Sequence, residues 1–322
     1  MLERLKNLWS KLVLFVKRYP FGTFAIVMSA LILLADVIEP FGVICYLVSI
    51  ALLLGVLRMF SSIGRFSNLG RRLGDPDEGK RQQAFEQLLQ KGDEAIQVFV
   101  RILKEAPYES SKRWKSVHAH CLAAEGLGRL KAKEGVDALM EALKSPFPEV
   151  VATAIWALAQ IGDERAVKAI IPLITSKSTV KRQKWLNDWT KEMLTENGQL
   201  VPPLPISDTI GAVASAALVQ LGQAGLVGSF WKAWLKRDEN AIKQLRAMKE
   251  FHREITEALV TMLNSGLVSE AINAAQLLGD LWAFDALPVL KSKAKELSTP
   301  ERVRKVCLEV IAKLVNAAHA CD

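Results

Sequence analysis

Four stretches of this 322-residue chain repeat one another, and a recurrence of that kind restricts the fold more tightly than composition does. Leu127-Gly-Arg-Leu-Lys-Ala-Lys-Glu-Gly-Val-Asp-Ala-Leu139 aligns with Leu158-Ala-Gln-Ile-Gly-Asp-Glu-Arg-Ala-Val-Lys-Ala-Ile170. It aligns again with the segments that start at Leu218 and at Leu278. The aligned leucines stand 31, 60 and 60 residues apart, which sets a unit of about 30 residues. Each unit reads as two short helices. The first carries small residues on its packing face, as in Cys121-Leu-Ala-Ala-Glu-Gly-Leu-Gly128 and Ile210-Gly-Ala-Val-Ala-Ser-Ala-Ala-Leu218, so neighbouring helices can approach closely. The second carries apolar residues at helical steps, Val136, Leu139, Met140 and Leu143 in one unit and Val167, Ile170, Ile171 and Ile174 in the next. A simple helical bundle has no reason to repeat at this interval.

The Ala-Ala-x-x-Leu-Gly-x-Leu first helix and Ala-Val-x-x-Leu second helix resemble the short HEAT-like repeats of bilin lyase-related proteins. The match is good over residues 116 to 175 and 268 to 294, degenerate over 207 to 265, and loose over 77 to 105 and 299 to 318. The resemblance implies an all-α fold over residues 77 to 318, a right-handed α-solenoid of about seven helix pairs or partial pairs. It implies little about function, because such arrays serve many unrelated proteins.

Two segments depart from the repeat. Residues 176 to 206 form an insertion, with Lys181, Arg182, Trp185 and Trp189 on a predicted helix followed by the proline-rich run 200 to 206. Residues 106 to 114 form a longer inter-repeat loop ending in Lys112, Arg113 and Trp114. Insertions in a solenoid project from one face, where partners bind, so Trp114, Lys181, Arg182, Trp185 and Trp189 are the candidate partner-binding residues.

The N-terminal quarter has a different character. Residues 21 to 57 are almost continuously apolar, interrupted by Asp36 and by Glu39-Pro40. One helix of that length would measure about 55 Å, against a hydrocarbon core of about 30 Å, so the proline break predicts a two-helix transmembrane hairpin over 20 to 58. Basic residues flank both ends of the hairpin, and the connecting turn has none. The positive-inside rule therefore puts both termini and the solenoid on the cytoplasmic side of an integral membrane protein. Residues 1 to 19 have the pattern of an amphipathic interfacial helix, and Trp9, Lys17, Arg18, Tyr19 and Arg58 are the predicted anchors at the bilayer surface. A basic linker over 59 to 76 favours anionic headgroups.

The formal charge of +8 follows the same division. Residues 76 to 322 hold 33 basic and 30 acidic residues, so they lack the basic field expected of a nucleic-acid binder. The four cysteines show no disulfide framework. His118, His120 and Cys121 are the sole close set of metal-capable residues, and on a helix at most two of them converge. No nucleotide loop, nucleophile elbow or metalloprotease motif is present, so no catalytic residue, cofactor or metal is predicted. The expected function is a non-enzymatic scaffold or adaptor that holds a protein partner at a membrane. The rival readings are a subunit or assembly factor of a larger membrane complex, a bilin lyase-like enzyme, and a nucleic-acid-binding HEAT-like protein.

Overall fold

The computed structural model describes residues 68–105, 113–180, 184–196, 199–200 and 208–319. The predicted interfacial helix, the transmembrane hairpin and the first half of the basic linker, residues 59–67, lie outside the described residues, and with them Trp9, Lys17, Arg18, Tyr19 and Arg58. Among the described residues no helix is long and apolar enough to cross a membrane.

The repeats form helix pairs, as the spacing predicts. In chain order they are α1 (Glu78–Leu89) with α2 (Asp93–Lys104), α3 (Arg113–Arg129) with α4 (Val136–Ala142), and α5 (Pro148–Ile161) with α6 (Arg165–Ile170). Next come the inserted helix α7 (Lys184–Met193) and a two-residue antiparallel ribbon, β1 (Thr195–Glu196) with β2 (Gln199–Leu200). The array resumes with α8 (Ile210–Gln220) and α9 (Ala224–Lys236), α10 (Glu239–Ala247) and α11 (His252–Leu263), and α12 (Val268–Asp280) and α13 (Leu287–Lys295). The last helix is α14 (Glu301–His319). Among the described residues these helices make six pairs and a closing helix.

Local chemistry sets the helix ends. Asp77, Thr209 and Asp238 each accept a backbone N–H of the following first turn, which starts α1, α8 and α10. Pro148 and Pro288 occupy the first turns of α5 and α13, where a missing amide costs little. Pro172 lacks the N–H that would continue α6, and residues Ile171–Thr175 tighten into a 3₁₀ turn. The first helices of four units share a further feature. Four residues after the aligned leucine, Lys131, Gly162, Gly222 and Trp282 all take positive φ, at 49°, 75°, 82° and 58°. Glycine accepts that conformation freely, whereas an L side chain loses about 1–2 kcal/mol there.

The first-helix row explains the small residues. Helix α3 packs on α5, and α5 packs on α8. A Cβ on Gly128 would stand 2.8 Å from the Ala157 Cα, and one on Gly211 would stand 2.6 Å from the Ile174 carbonyl oxygen. Both helices therefore approach to backbone contact. The core between the rows is aliphatic and aromatic, with Phe85, Phe99, Leu127, Leu139, Ile155, Leu158, Ile174 and Phe230 fully buried. Trp234 is buried as well, and the half-buried Trp231 donates its indole N–H to the Ser215 hydroxyl, so these two tryptophans serve inter-helix packing.

The stacking is not strictly neighbour to neighbour among the described residues. Helix α11 packs against the 3₁₀ turn 171–175, with the four helices α7 to α10 between them in sequence, and the Thr175 hydroxyl donates to the Ala258 carbonyl at 3.2 Å. The two 60-residue leucine spacings thus have different origins. The first contains one unit plus the insertion, and the second contains two helix pairs.

Candidate partner-binding surface

The insertion leaves and rejoins the array through a closed base. Val180 N–H donates to the Asp208 carbonyl at 2.6 Å, Ile210 N–H to Ser178 at 3.0 Å, and Gly211 N–H to Ser176 at 2.9 Å. With its two ends paired, the excursion costs the solenoid little order, and α5 still reaches α8 as though nothing intervened.

Helix α7 then folds back onto that row. Leu186, Thr190 and Leu194 recur at steps of four and are buried, whereas Asp188, Lys191 and Glu192 on the other side are exposed. This apolar stripe packs on α8. Trp185 and Trp189 are also four residues apart and fall on the flank of the stripe. The Trp185 ring meets Trp156 of α5 edge to face, centroids 4.9 Å apart, and stays 38% exposed. Trp189 is half-buried and donates its indole N–H to the Gln220 side chain at 3.2 Å. Gln220 in turn accepts from Gln160 and donates to the Ala159 carbonyl, both at 3.3 Å. The structure therefore joins two of the predicted residues into one aromatic and amide surface over α5, α7 and α8. Lys181, Arg182 and the side chain of Trp114 lie outside the described residues.

Sequence reasoning missed Trp156, Gln160 and Gln220, although a signal for them exists. Two residues before the aligned leucine the units carry Glu125, Trp156, Ala216 and Gln276, and two residues after it Arg129, Gln160, Gln220 and Asp280. In three of the four units these positions carry polar or large side chains on the first helix, and the tryptophan among them is the one that meets Trp185. Gly128 helps to seat it, since a Cβ at that position would stand 2.7 Å from the Trp156 ring.

Nearer the N-terminal end of the row, Glu125 pairs with Arg129 at 2.6 Å, and the Arg129 guanidinium lies over Phe85 of α1. Burial raises the Glu125 pKa above its usual 4.5, and the neighbouring Arg129 opposes that shift. His120 is buried on α3, with its Nε2 3.0 Å from the Glu105 carbonyl oxygen at the end of α2, a structural role. Among the described residues no three potential metal ligands come together.

Residues 115–185 match the family model of HEAT repeats. The solved structures similar to this chain include the complex of CpcE and CpcF of phycocyanin lyase from Nostoc sp., at 19% identity and TM-score 0.31, covering 76% of this chain and 93% of that one. Human deoxyhypusine hydroxylase is similar at 16% identity and TM-score 0.31, covering 81% and 99%. A designed armadillo repeat protein is similar at 16% identity and TM-score 0.27, covering 77% and 98%. At such identities and scores no activity carries over. No curated protein sequence matches the chain.

Proposed function

We propose that this HEAT-like helical-repeat protein is a membrane-tethered, non-enzymatic scaffold that holds a protein partner at the cytoplasmic face of a bilayer. The observation that carries the reading is the docked insertion, which departs from the repeat and presents the half-exposed Trp185 beside Trp156 on an otherwise regular first-helix face. A large aromatic surface of this kind contributes most when a partner removes it from water, and tryptophan is enriched among residues that dominate binding energy. Tethering is supported by the apolar run 21–57 and its basic flanks. Confinement to a membrane raises the effective concentration of solenoid and partner without any added contact. The Lys181 and Arg182 charges at the start of the insertion add cations to the same segment.

The test is purification of the full-length chain in mild detergent, with mass spectrometry of the associated proteins. The comparison is a variant combining charge reversal of Lys181, Arg182 and Lys184 with Trp185→Ala. Loss of one defined protein from the variant supports the reading, and retention of every associated protein refutes the surface. Tethering is tested separately: carbonate extraction of membranes leaves an integral protein in the pellet, and release into the supernatant overturns the anchor.

A further inference from the structure

Three residues other than glycine adopt left-handed backbone among the described residues, Lys131, Arg237 and Trp282, and two of the three meet at one place. Arg237, at the C-terminal cap of α9, forms an ion pair with Asp280 and donates to the Gln276 side chain at 3.0 Å. Trp282 follows Asp280 by two residues and lies beneath the Arg246 guanidinium of α10, 4.4 Å from its ring centroid. Arg246 also donates through Nε to the Asp280 carbonyl, and Lys313 of α14 reaches the Asp280 carboxylate at 2.7 Å. One residue, its carboxylate 18% exposed, thus gathers cations from three helices.

These groups border a surface cleft of about 390 Å³ lined by Arg237, Glu239, Ile242, Lys243, Arg246 and Asp280. Of the lining residues Arg237, Lys243 and Arg246 stand against Glu239 and Asp280, and Lys313 reaches Asp280 from α14, so the group keeps a net charge of about +2 with its internal ion pairs counted on both sides. Beside Asp280 in the chain, Trp282 and Phe284 are 50% and 41% exposed.

Folding does not require a tryptophan at position 282. The equivalent turns of two other units use Gly162 and Gly222 for the same backbone conformation. Here a large ring is held in a strained conformation, half in water, with an arginine stacked on it. Strain held in place by surrounding contacts marks sites where geometry serves binding.

We propose that this cleft binds an acidic peptide segment, a short extended stretch of a partner protein that carries carboxylates beside an aromatic or aliphatic residue. Arg246 donates to Asp280 through Nε, which leaves its two terminal nitrogens for paired hydrogen bonds to a carboxylate, while Arg237, already bonded to Gln276 and Asp280, and Lys243 add positive charge. Trp282 and Phe284 take the apolar side chain. The two carboxylates inside the cleft disfavour a continuous phosphate backbone, and residues 76–322, with 33 basic and 30 acidic residues, supply no strong net positive field. The proposal rests neither on membrane tethering nor on the Trp185 surface.

The test is fluorescence polarisation of a fluorescein-labelled Glu-Phe-Asp-Glu-Phe-Asp peptide with the full-length chain in mild detergent, alongside the same peptide with Gln and Asn for its acids. The acidic peptide binds, salt weakens it, and the amide peptide does not compete. Arg246→Ala and Trp282→Gly each weaken binding about tenfold or more. The glycine variant keeps the wild-type thermal midpoint within a few degrees, since it adopts the residue of the equivalent turns; this separates lost binding from lost folding. The proposal is overturned by absence of binding, by affinity unchanged in both variants, or by equal binding of the amide peptide. It is also overturned if a single-stranded oligonucleotide, or phosphatidylglycerol added as mixed micelles with the same detergent, displaces the probe better than unlabelled peptide does.

Discussion

The same substitution, glycine to alanine, has opposite consequences at two helical positions of this protein. Gly211 lies in the first turn of α8, and a Cβ there would stand 2.6 Å from the Ile174 carbonyl oxygen and 2.9 Å from that of Ser176. Both atoms are backbone. They cannot rotate aside, and the Gly211 and Ile210 N–H groups are tied to the same strand of chain, to Ser176 at 2.9 Å and Ser178 at 3.0 Å. Alanine therefore forces α8 away from residues 174–178. Overpacking of this kind costs about 1–3 kcal/mol, and each weakened backbone hydrogen bond adds about 0.5–1.5 kcal/mol. The gain in helix propensity returns at most about 1 kcal/mol. Gly211→Ala is thus expected to lose about 1–3 kcal/mol net. Gly228 lies inside α9 without a positive φ, and a Cβ there would meet nothing within 4 Å. Gly228→Ala is expected to gain about 0.5–1 kcal/mol from reduced freedom of the unfolded chain. Urea titrations of the full-length chain in detergent, followed by circular dichroism, read the difference. The ordering of midpoints suffices, because a repeat array need not unfold in one step. Hydrogen exchange adds location, with faster exchange in residues 208–220 of the Gly211 variant. If Gly211→Ala unfolds at the same urea concentration as Gly228→Ala or a higher one, the argument for backbone contact between α8 and the 171–176 segment is wrong.

Other expectations follow from single contacts. Trp185→Ala removes the edge-to-face contact with Trp156 and is expected to cost about 1 kcal/mol of stability, seen as a lower thermal midpoint, while proteolysis within 181–207 accelerates. Thr175→Val keeps volume but removes the hydroxyl that bridges to Ala258, a loss of about 1 kcal/mol, with amide exchange rising in α11 more than in α3. Glu125 gives a pH signature: burial raises its folded pKa above 4.5, so the folded state holds the proton more tightly than the unfolded chain does. Its contribution is complete below 4.5 and is lost as pH rises through the folded value. Glu125→Gln is therefore expected to flatten the decline of thermal midpoint with rising pH above 4.5, and an unchanged slope refutes this.

Much of the helical body is legible in the sequence because its interactions are local or periodic. The recurring leucines, the small residues of each first helix and the turn glycines report helix pairs directly, and Pro148 and Pro288 mark helix starts. The insertion is visible as a break in that period, and its tryptophans stand out against an alanine- and leucine-rich background. Which groups meet across the array is another matter. Trp185 finds Trp156 from 29 positions away in the chain, and Thr175 finds Ala258 across 83. The cleft around Asp280 draws on α9, α10, α12 and α14, and no spacing in the chain announces that Arg237, Arg246 and Lys313 converge on one residue.

The turn four residues after each aligned leucine shows the division most plainly. The repeat by itself determines that a turn occurs there, because the hydrophobic period stops and restarts at that point. Only the tertiary structure decides that Gly162 and Gly222 merely close that turn, whereas Trp282 is held strained and exposed against a neighbouring helix. Backbone geometry follows from residues close in sequence. The use made of a side chain depends on which charges and rings the stacking of distant helices brings within a few ångströms of it.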